Sequence, residues 1–508
     1  MDANHRSTTM EPSTIAAGKR KREDQPSSRE QEKDVNKETT ECLYLDTVQR
    51  SLLDFDLEPA CSVSLETGPH IYACCVCGAY FRGRGPHTPA YTHSVEASHF
   101  VFVHLSKGTF YCLPDDYEIH DPSLADIRAA LHPVFTPEQV ASIDDTNTAL
   151  LARDLFGKRY LPGFVGLNNL SKTDGISAVV QALAHVPPLR DFFLLKRHDE
   201  ALVNIADTAM ASKDGKASYT KLLRSSAHHL SSQRVTHAFG ELVRKLWSNA
   251  RFKSHVDPHI FIQAVSAASR KRFQVGQQVE AGEFMAWLLH QFHVGTGGGK
   301  KPGSSIIHKL FQGQVRVTVR QTKKVTAIFN KEPINDDRGG SDNDEGEDQN
   351  EIERSSERNH SKEPQVVLEE TTTDSHFLQL TLDIPEKPLF RDEDGGLVIP
   401  QESLVTVLKK FDGVTFSDAL TKSGMAQRKR YQLLQLPNYL ILHLARFKTN
   451  QYSREKNPTI VAFPVKNLDL SSYVHRDGHQ KKAPTEDDLR NMSVRKIVFV
   501  FLSCQKLI

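Results

Sequence analysis

The stretch GLNNLSKTDGISAVVQAL, residues 166–183, changes character at its middle. Up to Lys172 it is polar and turn-forming; beyond that, Ile176, Val179, Val180 and Leu183 recur at the spacing of one buried helical face. The pattern predicts a helix whose N-terminus lies at Asp174. Free backbone amides and the positive end of the helix dipole gather at such a position, and they depress a thiol's pKa, so it suits a nucleophilic cysteine. The chain has an aspartate there. A carboxylate attacking an amide carbonyl and expelling the amine would leave an anhydride, whereas a thiolate leaves a thioester. As a helix N-cap, by contrast, aspartate stabilises by roughly 0.5–2 kcal/mol over alanine. Asp174 is therefore expected to cap the helix that would otherwise activate a cysteine.

The rest of the chain sets the frame for this helix. Its 508 residues are 38% hydrophobic and 25% charged, enough for a large core and more than one domain. Lys+Arg 64 against Asp+Glu 63 leaves a net charge of +1, so no global basic excess argues for nucleic acid, and direct RNA contact is left open. The N-terminal residues hold no apolar leader, and no stretch reaches the roughly 20 apolar residues of a membrane span, so neither secretion nor a membrane partner is expected.

Two tracts are too polar to fold alone: residues 1–40, and the acidic insert 334–365. Within the first, Lys19-Arg20-Lys21-Arg22 is a basic run of the nuclear-import type. Beyond the first tract lie two foldable regions, 42–137 and 160–508, joined by a linker at 138–159, and the acidic insert interrupts the second. In the second, AVVQALAHV (178–186) and AGEFMAWLLHQF (281–292) read as helices. FLQLTLDIP (377–385), NYLILHLARF (438–447) and TIVAFP (459–464) read as strands. Helices first and strands later indicate an α+β fold.

Of the 7 cysteines, none falls between Cys112 and Cys504, while Cys61, Cys74, Cys75, Cys77 and Cys112 lie close together. Such a cluster indicates metal more than disulfides in a reducing compartment. Cys74 and Cys77 form a C-x-x-C pair that can present two thiolates to one ion, and His93 and His99 would complete a tetrahedral set suited to structural Zn2+. Cys61 is the alternative or second-site ligand, whereas Cys75 and Cys112 read as small buried residues.

The segment 42–121, with YACCVCGAYFRGRG (72–85) and FYCLPDDYEI (110–119), resembles the UBP-type zinc finger of ubiquitin-specific proteases. Ubiquitin-reading fingers carry an arginine just after the Cys-Gly; Ala79 follows Gly78 here, so the resemblance does not imply capture of a free ubiquitin tail. The second region resembles the papain-like catalytic domain of the same proteases. Its opening box, Gly-Leu-x-Asn-x-x-x-Thr-Cys-Tyr, is matched by Gly166, Leu167, Asn169 and Thr173, with Asp174 on the nucleophile and Asn169 on the oxyanion-hole asparagine. QVEAGEFMAWLL (278–289) is similar to the family's Gln-Gln-Asp-Ala-His-Glu-Phe helix, LFQGQVRVTV (310–319) to a finger strand, and LPNYLILHLARF (436–447) with NPTIVAFP (457–464) to palm strands. The two C-x-x-C pairs common in the fingers of the family are missing. His475 and His479 are histidines by type but precede the family's histidine box, which is expected to be absent, and the apolar run IVFVFLSCQKLI (497–508) is expected to leave the palm sheet incomplete.

Finer detail, in CLYLDTVQRSLLDFDLE (42–58), YLPGFVGLNNL (160–170) and VPPLR (186–190), resembles the ubiquitin-specific-protease-like splicing factors associated with the spliceosomal tri-snRNP. That resemblance implies a nuclear pseudoenzyme that joins or supports the tri-snRNP without deubiquitinating. A ubiquitin-binding adaptor outside splicing is the alternative, and an active cysteine protease the remote one.

Overall fold

A computed structural model describes residues 42–145, 151–198, 219–325, 365–386, 390–391, 397–420, 426–449, 454–464, 468–475 and 496–498. The polar tail 1–40, residues 334–364 of the acidic insert, His479 and the apolar residues 499–508 lie outside the described residues. The chain divides into two compact units, one of Met1–Gln49 with Cys61–Ala125, the other of Arg50–Ala60 with Asp126–Ile508.

The first unit is a five-stranded antiparallel sheet in the order β2-β1-β3-β4-β5 with one helix. Its strands are β1 (Ile71–Cys74), β2 (Tyr80–Arg82), β3 (Val101–His104), β4 (Phe110–Cys112) and β5 (Tyr117–Ile119), and its helix is α1 (Pro89–Ala97). All four residues of β1 and of β3 are buried, as in strands covered on both faces. A tight turn joins β1 to β2: the Gly78 amide donates to the Cys74 carbonyl at 2.9 Å, and Gly78 takes φ +77°, a left-handed conformation natural to glycine. Pro89 opens α1 at a position where no amide is needed, and left-handed Ser98 stops it.

The second unit opens with α2 (Ala125–Leu131), α3 (Pro137–Ser142) and a short hairpin, β6 (Ala152–Arg153) with β7 (Arg159–Tyr160). A helical half follows: α4 (Asp174–Ala184), α5 (Pro187–Leu194), α6 (Tyr219–Trp247), α7 (His259–Ala268), α8 (Ala281–Gly295) and α9 (Ile306–Phe311). The face expected from the sequence is the one buried: Ile176, Val179, Val180 and Leu183 of α4 lie in one core with Phe284, Met285, Leu288, Leu289 and Phe292 of α8. At its centre Phe239 contacts Phe292, Phe193 and Phe261 with ring centroids 4.6, 5.0 and 5.7 Å apart, the tilted and edge-on geometry aromatic rings favour. None of the described helices is long and apolar enough to cross a membrane.

The β half begins with β8 (Gly313–Val325), which pairs along its length with β9 (Gln365–Phe377). After β10 (Leu380–Asp383) come the short β11 (Phe390–Arg391), β12 (Leu397–Val398) and β13 (Gln401–Ser403), and then α10 (Leu404–Leu408). β14 (Asp412–Leu420) and β15 (Ala426–Gln435) extend the first pair into a four-stranded sheet, β14-β15-β8-β9. One face of it carries Arg316–Asp374 at 2.8 Å, Arg320–Glu370 at 2.7 Å and Arg428–Asp418 at 3.0 Å. The Phe416 ring lies under both Arg320 and Arg430 on that face. Ion pairs and cation–π contacts thus bridge these strands, in a sheet that lacks the cysteine pairs common in the fingers of the family.

The palm is a second sheet. β16 (Tyr439–Ala445) pairs parallel with β10 on one side, and beyond β17 (Phe447–Thr449), β18 (Arg454–Lys456) and β19 (Ile460–Ala462) the chain returns as β20 (Lys496–Val498) to pair parallel on the other. Lys496, Ile497 and Val498 align with Tyr439, Leu440 and Ile441, so the run expected to leave the palm sheet incomplete supplies its first two residues to that sheet.

Candidate functional site

Within the first unit, β1 and its turn present Cys74 and Cys77, α1 presents His93, and the residue after the left-handed stop of α1 is His99. One ligand atom from each of the four falls within 4.8 Å of all the others. Cys77 Sγ stands 3.4 Å from His93 Nε2, and His93 Nε2 stands 3.1 Å from His99 Nδ1. Tetrahedral zinc with bonds of roughly 2.0–2.3 Å places neighbouring ligand atoms about 3.3–3.8 Å apart, so the donor set and its spacing fit that ion. The His93 ring is held by stacking on Phe81, centroids 4.1 Å apart. Burial pushes the Cys74 thiol up to about 12, so in this pocket the thiolate needs a cation beside it to exist at neutral pH.

Cys61, the alternative ligand, lies outside the group of four. Its sulfur accepts the Ser64 amide at 3.5 Å. Cys75 and Cys112 are fully buried, matching their reading as small core residues.

In the second unit the turn before α4 is tied by side chains. Asn169 Oδ1 accepts from the Thr173 amide at 3.1 Å and from Thr173 Oγ1 at 3.0 Å, while Thr173 Oγ1 accepts the Leu170 amide at 3.1 Å. Thr173, not Asp174, occupies the N-cap, and its hydroxyl is spent on the turn. This corrects the expected capping role of Asp174. Asn169 has drawn the Thr173 amide and hydroxyl to itself, which moves the boundary back by one residue and leaves Asp174 as the first helical residue. There its carboxylate faces the helix dipole and accepts from Gln278 Nε2 at 3.2 Å. Gly175 follows because a β-carbon there would stand 2.7 Å from the Val279 carbonyl oxygen.

Beside this start lies the start of α8. Its N-cap, Glu280, accepts the amides of Gly282 at 3.1 Å and Glu283 at 2.6 Å, and His443 Nε2 of β16 stands 3.0 Å from the same carboxylate. Burial would raise the Glu280 pKa; the hydrogen bond from His443 and the two amides outweigh it and hold it at about 2. A β-carbon on Gly282 would lie 2.3 Å from the His443 ring. The sequence reading passed over Glu280, Gly282 and His443, although one signal was present: glycine stands where the family's helix box has histidine.

The description "Ubiquitin carboxyl-terminal hydrolase" matches residues 165–492, and "Zn-finger in ubiquitin-hydrolases and other protein" matches residues 61–124. The chain belongs to the ubiquitin carboxyl-terminal hydrolase family. Among members of this family, it is 41% identical over 451 residues to "Ubiquitin carboxyl-terminal hydrolase 39" of Homo sapiens, covering 88% of this chain and 70% of that one. It is 36% identical over 436 residues to "Probable mRNA-splicing protein ubp10" of Schizosaccharomyces pombe, covering 85% and 73%. Its fold matches "Crystal structure of an essential yeast splicing factor" with a TM-score of 0.52 and 23% identity, over 83% of this chain and 82% of that one. An α+β hydrolase-family domain preceded by a zinc-finger module is thus the architecture of the chain. The finger's family implies zinc, and the Cys/His group offers it a site.

Proposed function

We propose that the chain is a non-catalytic member of the ubiquitin carboxyl-terminal hydrolase family that acts in the nucleus as a protein scaffold of pre-mRNA splicing, associated with the tri-snRNP. The observation that supports the first half is Asp174 in the first turn of α4, which the sequence resemblance aligns with the family's cysteine nucleophile. The carboxylate is hydrogen-bonded to Gln278 and is the wrong nucleophile for an isopeptide. His443, on the adjoining strand, is engaged by Glu280, in a contact that orders the start of α8. Asn169 keeps its family position but spends its carbonyl oxygen on the turn.

The splicing half is supported by the name of the Schizosaccharomyces pombe relative, and the basic run at residues 19–22 supports the nuclear address. Cys74, Cys77, His93 and His99 would hold one structural zinc, which supplies folding stability and no open coordination position. The division proposed from the sequence is a zinc finger over 42–137, a linker over 138–159 and the hydrolase-like domain over 160–508; the compact units divide instead after Gln49, Ala60 and Ala125, and α3 and the β6–β7 hairpin fall largely within the linker range.

The test is an affinity pull-down of the tagged full chain from nuclear extract, probed for small nuclear RNAs and tri-snRNP proteins. Enrichment of the tri-snRNP is expected. A folded bait that retrieves ubiquitin and loses it when the ubiquitin tail is truncated, with no small nuclear RNA, would overturn the reading in favour of a ubiquitin adaptor.

A further inference from the structure

A cleft of about 50 Å³ in the second unit is lined by Asp54, Asp56, Lys245, Arg251, Lys253 and His255, among others. It forms where the segment Arg50–Ala60 lies against the chain that leaves α6. Lys245 Nζ donates to the Phe55 carbonyl at 2.6 Å and to Asp56 Oδ1 at 2.8 Å, and the Asp257 amide donates to Asp56 Oδ2 at 3.1 Å. Lys253 pairs with Asp54, whose other oxygen accepts the Asp56 amide at 3.1 Å. Both carboxylates of the cleft are therefore taken, each by one lysine and one backbone amide.

Arg251 is the cation left over. Its guanidinium stands over the Tyr160 ring at 5.3 Å, and its buried Nη2 has no hydrogen-bond partner among the described residues. Tyr160 adds no anion beside it: burial pushes its phenol up to about 12, and its hydroxyl donates to the Ser248 carbonyl at 3.2 Å. The guanidinium is half-buried, and the Asp56 carboxylate that acts on its charge is already shared by Lys245 and the Asp257 amide; its planar fork matches the oxygens of a phosphate two at a time.

We propose that this cleft is an anion site that takes one phosphate-sized oxyanion, free or as a monoester, with Arg251 as its principal donor. The room corresponds to roughly three or four water positions, enough for a single tetrahedral ion. The room admits one phosphoryl group and not the successive phosphates of a nucleic-acid backbone, so an isolated phosphate or monoester fits where a chain of them does not.

The full chain is titrated with inorganic phosphate, phosphoserine and a ten-nucleotide single-stranded RNA, with sodium chloride at matched ionic strength as control. Binding is read by phosphorus NMR line width and by the shift in melting temperature. Phosphate and phosphoserine are expected to bind saturably in competition with each other, Arg251→Gln to weaken both at least tenfold, and Arg251→Lys to weaken them less. Should Arg251→Gln fail to fold, Arg251→Lys and the competition on the unaltered chain still decide. Equal effects of phosphate and chloride, unchanged affinity in Arg251→Gln, or RNA displacing phosphate at lower concentration than phosphoserine does would each overturn the proposal.

Discussion

At the scale of single residues, Asp174 separates what a helix terminus favours from what a reaction needs. Its charge in the first turn of α4 is worth about 0.3–1 kcal/mol against the dipole, so Asp174→Asn should cost no more than that in a urea melt. Asp174→Cys is expected to yield a thiol that iodoacetamide alkylates faster than free cysteine, since the helix terminus favours the thiolate, yet no turnover of ubiquitin–amidomethylcoumarin. A nucleophile also needs a base to pass its proton to and from, and the histidine box that supplies it in the family is expected to be absent from this chain. Measurable hydrolysis by that variant would sink the non-catalytic reading. Gly282 gives a second residue-scale prediction. Alanine there improves helix propensity by up to about 1 kcal/mol, but its β-carbon would push the His443 ring off Glu280. Overpacking of this kind costs about 1–3 kcal/mol, so Gly282→Ala should destabilise, and His443→Ala in the same chain should relieve part of the loss in a double-mutant cycle. The helix start near Asp174 was legible in the sequence because it announces itself by pattern, to within the one residue that separates it from the cap at Thr173, whereas Asn169 stood out only through the family resemblance. The Gly282–His443 contact was not, since it joins residues whose spacing carries no period.

At the scale of elements, α8 is held at both ends by titrating groups of opposite kind. Near its C-terminus His293 stacks on His308 of α9, with ring centroids 3.9 Å apart, and bonds to Ser305 Oγ at 2.8 Å. Burial holds both histidines below the ordinary value, with His308 and His290 adding to the effect on His293, and His376 to that on His308. The unfolded chain therefore protonates them first, near pH 6.5, and their contribution to stability is lost as pH falls below that value. At the other end Glu280 sits at about 2 in the fold against about 4.5 unfolded. Its contribution, at most on the order of 3 kcal/mol, is complete above about pH 4.5 and lost between there and pH 2. Urea midpoints should accordingly fall in two windows. His308→Gln should flatten the upper one and Glu280→Gln the lower; a single acid transition unchanged by either variant would refute the assignment. The helices themselves could be read from the sequence, because the α4 and α8 stripes follow the 3.6-residue period that burial imposes. The pairing of α8 with β16 and the parallel return of β20 could not, because strand partners are chosen by the whole fold rather than by local alternation.

At the scale of the molecule, the chain passes between its two units three times, after Gln49, after Ala60 and after Ala125. Sequence reading sees one continuous zinc-finger region through 42–137. It cannot see that Asp54 and Asp56 find their lysines 199 and 189 residues further on, because charge pairs at that separation leave no local signature. What the sequence did announce is the Cys/His set, since a C-x-x-C followed by spaced histidines has few other uses. This organisation makes a prediction about unfolding. The first unit has a small core cluster around Tyr72, Cys74, Phe81, Ala90, Phe102 and Leu113, and its metal group joins β1, the turn after it and the end of α1. A unit of that size is expected to depend on a bound metal, whereas the second unit has a large aromatic core of its own around Phe239. Calorimetry of the full chain should therefore show two transitions. Cys77→Ser, or chelation at neutral pH, should abolish bound zinc by elemental analysis and remove or lower by ten degrees or more the transition belonging to the first unit, leaving the other within about two degrees. Zinc retained in Cys77→Ser would remove that residue from the ligand set. Loss of zinc with both transitions unmoved would mean that the sheet stands on its own apolar core.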